Sequence, residues 1–194
     1  MSRTITIVAK GPTAVHAQRW IDACPGSDVA IINEAGLLLR PDQPIRFAFF
    51  CHAKFTEPMR PLWPRINCFV SPSELIGPQK LPAGFPTHKR TRYAGNSCIG
   101  SRRDLRVRLN NGGVVHHHTL TAAMSWLAKI GYKRLRIIGV GGKGYAPGLK
   151  GAPNLPENPT IWPHVEKTLA GLLQELYGVK TEWYSASNHP RKSK

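Results

Sequence analysis

Apolar residues along the chain fall into short runs separated by helix-periodic or proline-rich stretches. Thr4–Ala9 (TITIVA) alternates Thr with Ile and Val and predicts a first strand, which ends at the turn Lys10-Gly11-Pro12-Thr13. Ala14–Cys24 predicts a short helix, broken by Pro25-Gly26. Asp28–Asn33 (DVAIIN), Arg46–Cys51 (RFAFFC) and Ile66–Val70 (INCFV) predict three more strands, apolar enough to be covered on both faces. From Ser71 to Asn111 the prolines at 72, 78, 82 and 86 predict loops, with one short strand near Leu105–Leu109 before the turn Asn110-Asn111-Gly112-Gly113. Order returns at Thr119–Ile130, where Leu120, Ala123, Met124 and Leu127 recur at helical spacing. Arg134–Val140 (RLRIIGV) predicts a strand, and a Gly- and Pro-rich loop runs from Gly141 to Pro163. Val165, Leu169, Leu172, Leu173 and Leu176 predict a second amphipathic helix, and Lys180–Tyr184 a last strand. Strands spaced by helices or long connections predict a parallel sheet in an α/β domain. Residues 1–184 form that single domain in this reading, with 71–111 either an acceptor-binding insertion or part of the sheet, and 185–194 as a basic flexible tail.

Composition adds a core and a charge. Of the 194 residues 41% are hydrophobic and 8% aromatic, which argues against wholesale disorder. Lys and Arg number 27 against 11 Asp and Glu, a formal +16, so an acidic partner is expected: nucleic acid, a phosphorylated substrate or an anionic surface. No apolar run approaches the ~18 residues of a membrane span, and the alternating N-terminus predicts a strand rather than a signal peptide. Cys24, Cys51, Cys68 and Cys98 contain no C-x-x-C pair. A structural zinc motif and a disulfide framework are therefore not expected, and a reduced, cytoplasmic compartment is.

Six segments carry chemistry. In Lys10-Gly11-Pro12-Thr13, Gly11 lets backbone approach a ligand at a helix start, and Lys10 adds charge; a plain strand–helix turn explains the segment equally well. Neither G-x-G-x-x-G nor G-x-x-x-x-G-K-[ST] is present. Asn33-Glu34 closes the second strand, where an amide can bond a base or ribose, although an isolated Asn is more often a turn residue. His116-His117-His118-Thr119 opens the strong helix; adjacent residues do not share a helix face, so polar groups lining a pocket are expected rather than a metal site. In the glycine-dense loop Gly139–Tyr145, Lys143 and Tyr145 can both donate to phosphate oxygens. His164 precedes the last helix and can accept a proton near neutral pH, a helix-capping histidine being the plainer explanation. Finally, Lys89, Arg90, Arg92, Arg102, Arg103, Arg106 and Arg108 are relieved only by Asp104, and no acidic residue occurs from Leu105 through Leu155. That bias points to a polyanion-binding surface whose affinity falls steeply with salt.

The order of these segments resembles the small bacterial sialyltransferases and the related hydroxymethylpterin pyrophosphokinase-like proteins. Lys10-Gly11-Pro12-Thr13 looks like the family's N-G-P-S turn, and Asn33 like the Asn that ends its second strand. Ile130-Gly131-Tyr132-Lys133-Arg134-Leu135-Arg136-Ile137-Ile138-Gly139-Val140-Gly141 looks like L-G-Y-K-x-I-x-L-x-G-x-D, Tyr145-Ala146 like the Y-A that follows it, and Tyr177–Lys180 fits the C-terminal helix and strand. The resemblance spans both ends of the chain and leaves about 71–111 unmatched. It implies a Rossmann-like open, mostly parallel sheet flanked by helices, here with an irregular basic central segment. It also implies that Lys10, Gly11, Pro12, Thr13, Asn33, His118, Thr119 and Gly141 hold the nucleotide of a nucleotide-sugar. Lys143 and Tyr145 would then stabilise the leaving phosphate, and His164 would be the general base. The departures fall on the donor side: Lys10 replaces Asn, Gly141 replaces Asp, and Thr119-Leu120 replaces Ser-Gly.

The function expected from these readings is metal-independent transfer of a sugar from a nucleotide-sugar co-substrate to an acceptor hydroxyl, with no resident cofactor. A hydroxymethylated pyrimidine in DNA, as in bacteriophage DNA modification, suits the basic middle as acceptor. The alternatives are a nucleic-acid-binding protein on the same fold without the chemistry, and a pyrophosphokinase- or phosphotransferase-like enzyme.

Overall fold

The structure, a computed structural model, describes residues 3–94, 101–140, 145–149 and 162–184, the first three residues of the last stretch by their backbone alone. Seven strands make one sheet: β1 (Thr4–Val8), β2 (Asp28–Ile32), β3 (Ile45–Phe49), β4 (Ile66–Pro72), β5 (Arg90–Tyr93), β6 (Arg134–Ile138) and β7 (Lys180–Trp183). Their order across the sheet is β5-β4-β3-β2-β1-β6-β7, and every neighbouring pair is parallel. In β1, Val8 stands opposite Ile31 of β2 and Ile138 of β6. The chain winds outward from β1 through β5 on one side, then returns to lay β6 and β7 on the other. This is a Rossmann-like open α/β fold, and its strand order reverses between β1 and β6.

The period-2 alternation of the strands sorts their side chains between two apolar layers. Ile5, Ile7, Ala30, Ile32, Phe47, Phe49 and Val70 share one buried layer with the apolar sides of α2 (Arg102–Asn110), α3 (Thr119–Lys129) and α4 (Trp162–Tyr177). Val8, Val29, Ile31, Ala48, Phe50, Phe69 and Ile138 belong to the other. That second layer is closed by α1 (Ala17–Asp22) and by residues of 3₁₀ turns and loops such as Ala14, Ala35, Leu62 and Phe85.

Two expectations change. The helix expected over Ala14–Cys24 begins instead as a 3₁₀ turn, Pro12–His16, with Pro12 in its first turn, and only Ala17–Asp22 is α-helical. The strand expected near Leu105–Leu109 is α2. The alternating L-R-V-R-L suits a strand, but Ser101 and Asp104 form a capping box just before it: the Ser101 hydroxyl accepts the Asp104 N–H, and Asp104 Oδ2 accepts the Ser101 N–H at 2.8 Å. Helical spacing then buries Leu105 and Leu109 together and leaves Val107 52% exposed. The central segment is also part of the sheet, since β5 pairs along β4 from Phe69↔Arg90 to Pro72↔Tyr93.

Candidate functional site

In an open parallel sheet the carboxyl ends of the strands meet a crevice where the strand order reverses, and ligands bind there. Here the residues at that junction lie in tight contact. Gly139, just after β6, has φ +81°, and a Cβ on it would lie 2.4 Å from the Ala9 carbonyl oxygen. Only glycine fits both the backbone conformation and the approach. Gly11 donates its N–H to Gly139 O at 2.7 Å, Gly139 N–H donates to Thr13 Oγ1 at 3.1 Å, and Ala146 N–H donates to Lys10 O at 2.8 Å. Gly11 and Thr13 therefore stitch the β1 turn to the β6 loop. The Gly11 N–H is committed to the Gly139 carbonyl.

Lys10 is buried, as is Glu34, and Lys10 Nζ lies 2.7 Å from Glu34 Oε1. The ring centroids of Phe55 and Tyr145 lie 5.0 and 4.6 Å from the same nitrogen. The charge expected of Lys10 thus faces a carboxylate, which offsets it. Breaking such a pair from one side strands a buried charge. Asn33 sits in a 3₁₀ turn directly after β2 with φ +51°, the one left-handed non-glycine residue among those described. Asn33 Oδ1 and Glu34 Oε2 are both buried without a hydrogen-bond partner among the described residues.

The start of α3 reaches the same edge of the sheet, and its three histidines divide. His118 caps the helix: its Nδ1 accepts the Leu120 N–H at 3.2 Å, and the Thr121 hydroxyl oxygen accepts the His118 N–H at 3.0 Å. Its other ring nitrogen, Nε2, lies 3.2 Å from Glu166 Oε1 of α4. His118 thus fixes the helix start through Nδ1 and brings it within 3.2 Å of α4 through Nε2. His116 turns to a different partner, its Nε2 lying 3.0 Å from Cys51 Sγ. No group of three or more His, Cys, Asp or Glu among the described residues is placed to hold a metal.

Cys51, two residues past β3, is the center that sequence reasoning missed. The Thr119 hydroxyl donates to its sulfur at 3.2 Å, and the Tyr93 hydroxyl lies 3.9 Å away. Burial pushes the Cys51 thiol up, and burial, helped by nearby basic groups such as Arg108, pushes His116 down. Both shifts favour the uncharged pair, a thiol and a neutral imidazole in contact at 3.0 Å. Burial also holds the Tyr93 phenol far above its usual range. One proton transfer would convert this pair to a thiolate nucleophile, and Cys51 is 2% exposed. The signal was legible in principle: Cys51 follows a strand and His116 precedes a helix, so both belong to the carboxyl edge although they are 65 residues apart.

The basic residues also separate. Arg102 and Arg106 both bridge to Glu175 of α4. Arg108 Nε donates to Val114 O, Lys89 Nζ to Ile66 O, and Arg90 to Ser71 Oγ and Pro72 O. Arg92 and Arg103 are exposed and make no ion pair among the described residues. Ala94, Arg103, Val107 and Arg108 line one open hollow beside the end of β5.

Tyr145 is at the junction, 38% exposed beside Lys10. Gly141 and Lys143 lie outside the described residues, as do Cys98 and the tail. His164 falls in the first turn of α4, where only backbone is described. No helix among the described residues is long and apolar enough to cross a membrane. No family model, no curated protein and no solved structure matches the chain.

Proposed function

We propose that the protein is a glycosyltransferase that takes a nucleotide-sugar at the carboxyl ends of β1, β2 and β6. One observation carries the reading. Lys10, Asn33-Glu34 and Tyr145, chosen from separate stretches of sequence, converge at the strand-order reversal, with Lys10 Nζ 2.7 Å from Glu34 and 4.6 Å from the Tyr145 ring. In the reaction, an acceptor hydroxyl gives its proton to His164 while its oxygen bonds to the anomeric carbon. The bond from that carbon to the phosphate oxygen breaks, and the nucleotide leaves with the electron pair. Tyr145 and Lys143 donate to the departing phosphate, where charge develops. The acceptor is a polyanion, with DNA carrying hydroxymethylated pyrimidines the choice that the net charge of +16 favours.

A thermal-shift screen against CMP, UDP, GDP, ADP and ATP, with and without EDTA, tests the donor site, because a ligand of the native state raises Tm by mass action. A shift with one nucleotide that survives EDTA is the expected result. Incubation of hydroxymethylated and ordinary DNA with the matching sugar nucleotides tests transfer, and inactivity on both with every donor sinks it. The second reading is a nucleic-acid binder without chemistry. It is favoured by the Lys10 ammonium being engaged by Glu34, which leaves the donor turn without a free cation there. His164→Ala separates the two: a binder keeps its full function, and a transferase loses turnover.

A further inference from the structure

We infer that the outer edge of β7 is a self-association surface, on which a second copy of this chain pairs antiparallel about a two-fold axis at Thr181 and joins the two sheets into one. That edge lies apart from the carboxyl ends of the strands, which stay open in both copies.

The open sheet ends sideways in β5 and β7. β7 bonds β6 through alternate residues: the Lys180 N–H donates to Lys133 O and the Tyr184 N–H to Ile137 O, both at 2.8 Å. Alternation along the strand then turns the backbone N–H and C=O of Thr181 and Trp183 outward. Nothing among the described residues bonds them there. A row of open backbone groups is a template for another strand, and proteins guard such rows with charged side chains. β5, with the sequence RTRY, is guarded against a copy of itself. Pairing centred on Thr91 sets Arg90 against the partner's Arg92, and pairing centred on Arg92 sets it against the partner's Arg92. Like charges directly opposite destabilise a strand pair.

β7 carries the opposite pattern. Lys180 and Glu182 flank Thr181, share one face of the sheet and differ in sign. A two-fold axis makes the paired edges antiparallel, and backbone bonds form only where outward residues meet outward residues. Centred on Thr181, the two Thr181 residues exchange N–H···O bonds, and each Lys180 falls opposite the partner's Glu182. These are non-hydrogen-bonded positions, where Cα atoms stand about 4.5 Å apart and side chains are closest. Opposite charges directly across stabilise such a pair. Centred on Glu182 instead, two carboxylates face each other. Centred on Trp183, Glu182 meets the partner's Tyr184 and no opposite charges are joined. Charge therefore selects the Thr181 register. Arg134 and Arg136 of β6 hold Glu182 from the inner side, each at 3.4 Å. Lys180 Nζ lies 3.5 Å from Glu182 of its own strand, and its side chain is 64% exposed, so it has only to turn across the edge to meet the partner's Glu182. The chain as a whole carries +16, so a second copy is attracted only where charges match locally.

Sedimentation velocity of the full chain over a concentration series tests the pairing. The wild-type chain is expected to show a reversible monomer–dimer equilibrium. Glu182→Lys and Lys180→Glu each set like charges across the axis on both sides, and each should weaken the dimer about tenfold or more. An equimolar mixture of the two variants restores both opposite-charge pairs in a heterodimer, which should associate within about threefold of wild-type strength. The mixture contains the same proteins that fail alone, so its recovery separates lost pairing from lost folding. Thr181→Pro removes an N–H that the sheet itself does not use, so the fold is expected to survive and the dimer to be lost. Circular dichroism and Tm check that each variant folds. A wild-type chain that stays monomeric at every concentration overturns the assignment. A dimer that both charge variants leave intact overturns it in favour of another surface. Variants that stay monomeric in the mixture as they do alone overturn the Lys180–Glu182 register, and the proposal with it.

Discussion

Single residues at the carboxyl edge are constrained by contacts that leave little freedom. Gly139 is the sharpest case. A side chain there meets the Ala9 carbonyl oxygen at 2.4 Å and requires φ +81°, so Gly139→Ala carries both a clash and a strained backbone. Together these cost at least about 3 kcal/mol, and for a chain of this size Tm should fall by roughly 6–12 °C. A fall of only a degree or two would mean that the two loops part easily and are not a rigid floor. His116 makes a prediction about pH. Burial lowers its pKa from the ordinary 6.5, with help from neighbouring positive groups. Above pH 6.5 the imidazole is neutral in both states and contributes no slope. As the pH falls below 6.5 the unfolded chain takes the proton while the folded chain resists it, so stability declines until the folded pKa is passed. Tm measured at pH 7.5 and 5.5 should drop for the wild-type chain and drop less for His116→Gln. His52, lowered mainly by its own burial, adds a residual slope of the same sign. Equal drops in both proteins would place the acid sensitivity elsewhere.

At the scale of elements, helix ends decide what reaches the site. The start of α3 is fixed by His118, an unusual cap whose second nitrogen faces Glu166 of α4, so one side chain ties two helices together. His118→Ala should cost about 1 kcal/mol for the lost cap, and more because Glu166 keeps its burial without its partner. His118→Asn should restore the cap share and not the Glu166 share, which chemical denaturation of the three proteins would resolve. Full rescue by Asn would show that the Glu166 contact contributes nothing. These elements were unevenly legible. β2, β3 and β4 stood out as short apolar runs covered on both faces, and β1 and β6 as alternations of Thr or Arg with Ile and Leu. β5, with the sequence RTRY, is an edge strand whose two central residues face solvent, so it carries no such signal. α2 hid behind an alternating L-R-V-R-L and was betrayed only by the capping pair Ser101 and Asp104. The turn at Lys10, the end of β2 and Tyr145 were all legible as strand-end chemistry. The Lys10–Glu34 pair and the Cys51–His116 contact were not, because each joins residues that only the order of strands brings together.

For the whole molecule the question is how much of the +16 is available to a partner. Sequence alone counts seven basic residues between 89 and 108 as one patch, and the structure divides them. Arg102 and Arg106 share Glu175, at 3.1 and 2.7 Å, so those three side chains present one net charge between them. Lys89, Arg90 and Arg108 spend donors on backbone or side-chain oxygens of the fold. Arg92 on β5 and Arg103 on α2 remain exposed, and Arg103 lines the hollow together with Ala94, Asp104, Val107 and Arg108. Polyanion binding releases counterions in proportion to the phosphates neutralised, so log K against log salt reads the number of contacts directly. Arg92→Ala and Arg103→Ala should each weaken DNA binding and reduce that slope by about one. Arg102→Ala and Arg106→Ala should change it distinctly less, since Glu175 already offsets one of the two charges. Fluorescence anisotropy of a labelled duplex across a salt series gives all four slopes. If the four substitutions act alike, the Glu175 pairing does not persist on the polyanion, and the surface behaves as the undivided basic patch that the sequence first presents.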